Sequence, residues 1–341
     1  MNILITGGAG FIGINAAKYF LDKKHKVVIL DNFSRKGGKK NIQWLKKETK
    51  RNFTVIEADV RDAGEINNAI KRTDAIFHLA GQVAVTSSVL DPREDFESNA
   101  LGTFNVLESA RKQKTKPIVF YSSTNKVYGG LEDLKIKETS TRYKFLTLPN
   151  GVSEERGIDF HSPYGCSKGA ADQYVRDYYR IYDLPTVVFR QSCIYGERQF
   201  GVEDQGWIAW FIIALSQGKK ITIYGNGKQV RDVLYVDDLL DAYDSALENI
   251  GKAKGQIFNI GGGMQNSLSI WFEFKPILDK LFERDIKVKF SDARPGDQPI
   301  YISDITKVKK TLGWEPKVDL HEGILKLFNW IAKNPSLFKT T

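Results

Sequence analysis

Tyr164 and Lys168, in the run Tyr164-Gly-Cys-Ser-Lys168, are four residues apart and fall on one face of a helix. A phenol has an ordinary pKa of about 10, and a fixed ammonium nearby favours the phenolate, so such a pair can take and return a hydroxyl proton near neutral pH. The spacing alone is common, and an exposed tyrosine beside a lysine would produce it equally well. A second hydroxyl adds context. Ser122-Ser-Thr124 closes a strand-like run from Ile118 to Tyr121, and the Thr124 hydroxyl can hydrogen-bond an oxygen as it turns from alcohol to carbonyl. A turn rich in serine and threonine would look similar. Thr124, Tyr164 and Lys168 form the expected catalytic set.

The amino terminus supplies what that set needs. In Met1-Asn-Ile-Leu-Ile-Thr-Gly7-Gly-Ala-Gly10-Phe-Ile-Gly13, the glycines Gly7, Gly10 and Gly13 lie between a strand and a helix that starts with Phe11 and Ile12. Such a turn lets backbone approach a pyrophosphate at a helix N-terminus. Asp31, at the end of the second strand, suits the adenosine ribose hydroxyls and repels a 2′-phosphate, which favours NAD over NADP. Asn32, Ser34 and Arg35 follow it; Arg35 and Lys36 could neutralise such a phosphate, or form a solvated basic loop. Asp59 and Val60 suit the adenine edge, and Leu79, Ala80, Gln82 and Ser122 a path toward the nicotinamide. Asn99 and Gln191 complete the expected cofactor contacts. Each strand end could be ordinary punctuation, but their order along the chain forms one dinucleotide site. Phenol and dinucleotide together suggest oxidation at a carbinol carbon.

The elements that must position these groups alternate. Strand-like runs occur at Ile3 to Ile5, Val27 to Leu30, Phe53 to Ile56, Ala75 to Leu79, Ile118 to Tyr121 and Thr186 to Phe189. Helix candidates lie between them at about Phe11 to Lys23, Ala63 to Lys71, Phe96 to Lys112 and Tyr164 to Tyr182, the last entered through Ser162-Pro163. This predicts an α/β fold, a doubly wound parallel sheet of Rossmann type over residues 1–190. Beyond it, glycine-rich stretches and helical runs at Trp207 to Ser216, Val236 to Glu248, Ser269 to Phe282 and Glu322 to Ala332 predict a smaller C-terminal α/β substrate lobe over 191–341. The boundary is expected to be interleaved.

The bulk numbers set bounds. With 341 residues, 42% hydrophobic and 27% charged, the chain can bury a large core. No apolar run approaches the roughly 20 residues of a membrane helix, and no signal peptide opens the chain, so a cytoplasmic protein is expected. Cys166 and Cys193 are too few for a disulfide framework, and the four histidines lack metal-ligand spacing, so no metal is expected. The net charge of +9 is spread among acids, which suits an anionic nucleotide ligand better than nucleic acid.

The glycine turn, the Thr124 strand end and the Tyr164/Lys168 pair together resemble the extended short-chain dehydrogenase/reductase family of nucleotide-sugar epimerases and dehydratases, over nearly the full chain. Longer runs sharpen the likeness: Asp31-Asn-Phe-Ser-Arg-Lys-Gly37, Ser123-Thr-Asn-Lys-Val-Tyr-Gly129, Asp159 to Tyr174 and Asp204-Gln-Gly-Trp207 are similar to the branch that inverts C2 of CDP-3,6-dideoxyhexoses. The resemblance implies tightly held NAD, a nucleotide-diphosphate sugar substrate, and a homodimer packed through the helices near Phe96 to Lys112 and Tyr164 to Tyr182. It points to Arg231 and Arg294 for the diphosphate, since guanidinium groups offer fixed forks of donors. Either could instead pair with Asp232 or Asp297. Lys126 and Gln205 are further substrate candidates, whereas Trp207, with Trp210 and Phe211 at near-helical spacing, suits a core. Dehydratases of this fold carry an Asp-Glu pair directly after the catalytic threonine; here Asn125-Lys126 stands, which cannot expel water in the same way. Inversion at C4 of a UDP-sugar, net oxidoreduction and non-catalytic dinucleotide binding remain open alternatives.

Overall fold

The computed structural model describes residues 1–294 and 296–338; residues 339–341, the end of the expected second lobe, lie outside them. Seven strands form a parallel sheet: β1 (Asn2–Thr6), β2 (Lys26–Asp31), β3 (Thr54–Glu57), β4 (Ala75–His78), β5 (Ile118–Thr124), β6 (Thr186–Gln191) and β7 (Ile257–Ile260), in the order β7-β6-β5-β4-β1-β2-β3. Helices cover both faces, so β1, β4 and β6 read as near-continuous apolar runs rather than alternating ones. The order reverses between β1 and β4, which opens a crevice at their carboxyl ends. Strand β5 runs three residues past the expected Tyr121, because Ser122, Ser123 and Thr124 stay paired with Phe189, Arg190 and Gln191 of β6.

The Pro163–Tyr182 helix starts as its sequence dictates. Ser162 caps it by accepting from the Gly165 N–H at 3.0 Å, and Pro163 occupies the first turn, where no donor is needed. The expected Phe96 to Lys112 helix is divided: a wide π-turn at Glu97–Leu101 precedes a regular helix at Gly102–Arg111. A helix at Gly38–Glu48, hidden in the basic run after Arg35, was not anticipated from the sequence. It buries Ile42 and Leu45 against the sheet.

Residue 190 does not divide the layers. Strand β7 joins the sheet from beyond it, and the Val236–Glu248 helix packs Leu239, Leu240 and Tyr243 into the core of the first half. The rings of Phe20, Phe77 and Phe120 stack through that core at 4.7 and 4.6 Å. A separate apolar cluster holds the second layer, built from the helices Trp207–Ser216, Phe274–Phe282 and Leu320–Lys333 around the strand Val230–Tyr235. The expected helix from Ser269 starts only at Phe274. Ser269 ends a strand, and it exchanges two hydrogen bonds with Glu273 that turn the chain first. Among the described residues, no helix is long and apolar enough to cross a membrane.

Candidate active site

A cleft of about 360 Å³ opens at the carboxyl ends of the central strands and brings together Thr124, Tyr164, Lys168, Ser122 and Gln191 with Lys126, Gln205, Arg231 and Arg294. Tyr164 and Lys168 are both buried, with 8% and 7% of their surface exposed. The Tyr164 N–H donates to Ser88 Oγ at 3.1 Å, and the Thr124 hydroxyl stands near enough to the Tyr164 phenol to favour the phenolate. Lys168 Nζ donates to the Ser122 carbonyl at 2.5 Å and sits 4.3 Å from the centre of the Tyr121 ring.

Burial dominates the electrostatics. It pushes the Tyr164 phenol up to about 12, with the nearby Thr124 hydroxyl opposing the rise. It pushes the Lys168 ammonium down to about 7, against the pull of Asp172 and Asp95. The expectation that Lys168 lowers the tyrosine pKa is therefore corrected. The cation whose field favours the phenolate is Arg35, while the Lys168 ammonium donates to a carbonyl and its own charge is disfavoured by desolvation.

The glycine turn forms a cradle without side chains. Gly7 has φ 67°, and a Cβ there would lie 2.7 Å from the Ala80 nitrogen; one on Gly13 would lie 2.3 Å from the Gly7 carbonyl oxygen. Gly10 precedes the Phe11–Asp22 helix with no side-chain cap, so the first N–H groups face outward as a dinucleotide pyrophosphate requires. Asp31 also clamps the turn, accepting from the Ala9 N–H at 2.9 Å and the Phe33 N–H at 2.8 Å. Beside it, Asn32 donates to Asp59 at 2.8 Å and accepts from Ser34 Oγ at 2.8 Å. Arg61, hydrogen-bonded to Asp59, holds that carboxylate down to about 2. Asp31, Asn32, Ser34, Asp59 and Val60 lie at the ends of β2 and β3, outside the cleft, where an adenosine would extend. These residues fit a dinucleotide.

Leu79, Phe11 and Ile12 line the cleft floor. Ala80 donates through its backbone to Thr6 Oγ1 at 3.4 Å, and Gln82 through its backbone to Asn99 Oδ1 at 2.9 Å. The Asn99 amide donates in turn to Asp95 at 3.1 Å and Ser167 at 3.0 Å, so it ties the cofactor path to the catalytic helix. Gln191 donates to the Tyr243 hydroxyl at 2.6 Å.

At the other end, one carboxylate serves two cations: Asp297 accepts from Arg231 at 2.5 Å and lies 3.6 Å from Lys126 Nζ. Asp232 turns away to Ser192. Burial and Arg231 push Lys126 down to about 8. Arg294 pairs with Asp204 at 3.0 Å and lies 3.9 Å from the Tyr224 ring centre, and Arg35 reaches across the mouth to Gln205 at 3.5 Å. Trp207 both lines the cleft and packs edge-on against Phe274 at 5.2 Å.

Three supporting features escaped the sequence. Asn125 is held by the fully buried Gln298, at 3.4 Å, which donates to the Gly129 carbonyl. The Thr86 hydroxyl lines the cleft, buried without a protein partner. Asp172 and Arg190 form a buried two-pronged ion pair at 2.9 and 3.0 Å, and Ser123, next to Thr124, donates to the same carboxylate at 2.7 Å. The signal was an arginine inside an apolar strand, which demands a buried acid.

A family model described as GDP-mannose 4,6 dehydratase matches residues 4–327. The chain is 46% identical over 339 residues to CDP-paratose 2-epimerase of Salmonella typhi, covering 97% of this chain and 99% of that protein. The crystal structure of UDP-glucose 4-epimerase from Thermotoga maritima with UDP-glucose is similar at TM-score 0.84 and 30% identity, covering 98% of this chain and all of that one. UDP-glucuronic acid 4-epimerase from Bacillus cereus, in complex with UDP-glucuronic acid and NAD, is similar at TM-score 0.83 and 27% identity, covering 98% and 99% of the two chains. With this sheet order, glycine cradle and buried Thr124, Tyr164 and Lys168, the chain belongs to the extended short-chain dehydrogenase/reductase family of nucleotide-sugar epimerases and dehydratases.

Proposed function

We propose that this protein is an NAD-dependent, redox-neutral epimerase of a nucleotide-diphosphate sugar that inverts C2 and converts CDP-paratose to CDP-tyvelose. The observation that carries it is the setting of Thr124. The threonine stands beside the Tyr164 phenol, yet the next two residues are an amide spent on Gln298 and a lysine turned toward Asp297. Neither supplies the acid and base for expelling water. Oxidation and reduction at one carbinol carbon remain, and the 46% identity to a CDP-paratose 2-epimerase supports C2 as that carbon.

In this reading Tyr164 takes the proton from the sugar C2 hydroxyl and later returns it. Thr124 donates to the same oxygen while it is a carbonyl. Lys168, anchored on Ser122, holds the nicotinamide ribose hydroxyls. Bound NAD would supply the hydride-accepting and hydride-donating chemistry at that carbon, so no net oxidant would be consumed. Between the two steps the flat 2-keto sugar must turn over within the cleft, held by its diphosphate at Arg231, Arg294 and Lys126 and steered by Gln205. Gly7, Gly10 and Gly13 cradle the pyrophosphate of NAD, and Asp31 selects against a 2′-phosphate. Equal competence with NADP would refute that selection.

A homodimer is part of the proposal. Phe104 on the Gly102–Arg111 helix and Tyr174 on the Pro163–Tyr182 helix meet edge-on at 6.1 Å, 40% and 51% exposed, beside exposed Ile181. They make an apolar face across the two helices expected to pair.

The likeness to UDP-sugar 4-epimerases supports a second reading, inversion at C4 of a UDP-sugar by the same residues. The first test is the purified protein's cofactor. Stoichiometric NAD surviving gel filtration, with CDP-paratose turned over without added cofactor, is the expected result. Dependence on added NAD with a steady absorbance change would make it a net oxidoreductase, and bound NAD with no turnover of any nucleotide sugar a binding protein.

A further inference from the structure

A second cavity, of about 420 Å³, shares no lining residue with the catalytic cleft. It lies against the edge strand β7, walled by the carboxyl half of the Pro163–Tyr182 helix and by Lys307 on the Thr306–Leu312 helix. Five cations face it. Arg190 is committed to Asp172 and Tyr128, Arg156 to Asp133, and Lys307 Nζ to the Ile257 carbonyl at 2.8 Å. Arg176 and Arg180, one turn apart on the catalytic helix, make no ion pair and no side-chain hydrogen bond among the described residues.

Two carboxylates also border the cavity. Glu154 turns one carboxylate oxygen to the Asn259 N–H of the edge strand at 2.6 Å, and Glu155 is exposed. Among the described residues neither carboxylate makes an ion pair with Arg176 or Arg180. Burial, Arg180 and Arg190 push the Arg176 guanidinium below its ordinary value, against the pull of Asp172. Like charges one helical turn apart destabilise a helix unless something between them relieves the repulsion. Two forked donors with an ammonium behind them are the complement of a tetrahedral oxyanion.

We propose that this cavity binds a phosphoryl group, gripped by Arg176 and Arg180 with Lys307 behind, at a site separate from the nucleotide-sugar cleft. The group can come from inorganic phosphate or from the phosphates of a free nucleotide.

The test uses the full-length protein at constant ionic strength, with Arg176→Gln/Arg180→Gln and Arg231→Gln as variants. Inorganic phosphate at about ten times its Kd should raise the melting temperature of the wild type and of Arg231→Gln by on the order of 2 °C relative to chloride. The double variant should lose that shift and keep wild-type turnover. Calorimetry with CDP separates the sources: two sites falling to one in the double variant identifies nucleotide phosphate, and one site in both identifies inorganic phosphate. An equal phosphate shift in the double variant, or none in the wild type, overturns the proposal. So does a change in oligomeric state of the double variant in phosphate-free buffer, which would assign the arginines to a second copy.

Discussion

Lys168 Nζ donates to the carbonyl oxygen of Ser122 at 2.5 Å, two residues before Thr124 on the same strand. The bond stitches the Pro163–Tyr182 helix to the end of β5, and Tyr164, one turn earlier on that helix, stands near the Thr124 hydroxyl. Packing thus sets the positions of the three side chains to which the proposal gives proton transfer and cofactor anchoring. Asp172 reinforces the geometry from below, joined to Arg190 on β6 and to Ser123 on β5.

Tyr164→Phe removes only the hydroxyl from this arrangement. Turnover should fall by about 10²- to 10⁴-fold, the range for a lost general acid-base group. Retained NAD and melting temperature should stay near wild type. Steady-state kinetics with a parallel cofactor assay checks this, and near-normal turnover would remove Tyr164 from the proton-transfer role.

Asp297 pairs with Arg231 and Lys126, two of the three cations that the reading assigns to the substrate diphosphate. Asp297→Asn should therefore tighten binding of CDP, by about tenfold for the loss of one competing charge. Arg231→Gln should weaken it. Titration calorimetry reads both, and weaker binding in Asp297→Asn would show that the carboxylate organises the site instead of competing for it.

His78 gives a pH dependence with a defined sign. Its ring is buried between the hydroxyls of Thr6 at 2.7 Å and Thr103 at 2.9 Å, and burial pushes it down to about 3. An unfolded histidine ionises near 6.5, so below that pH the unfolded chain binds one more proton than the folded one. Stability from this group falls as pH drops from about 6.5 toward 3, by up to about 1.4 kcal/mol per pH unit. Denaturant midpoints between about pH 6.5 and 4.5 should fall more steeply for the wild type than for His78→Gln; parallel slopes would contradict the buried neutral ring.

Much of this was legible because each signal is local. The glycine turn, the strand end at Thr124 and the Tyr164/Lys168 spacing occupy short stretches whose geometry follows from helix and strand periods. What stayed hidden depends on pairing across the chain. Nothing near Arg190 announces Asp172, and nothing near Lys126 announces that it shares Asp297 with Arg231. Strand β7 was missed because four residues among glycines carry little periodic signal. The sign of the Tyr164 shift was misread for a related reason: spacing reveals a neighbouring cation, whereas desolvation depends on the whole fold around the phenol.

The central claim is that hydrogen leaves and returns to C2 of a CDP-sugar within one closed cleft. The direct measurement is NMR of CDP-paratose and a panel of UDP-sugars incubated with the purified protein in deuterated water. Inversion at C2 of the CDP-sugar with no solvent deuterium at that carbon is the predicted result; deuterium at C2, or inversion at C4 of a UDP-sugar in its place, would contradict it.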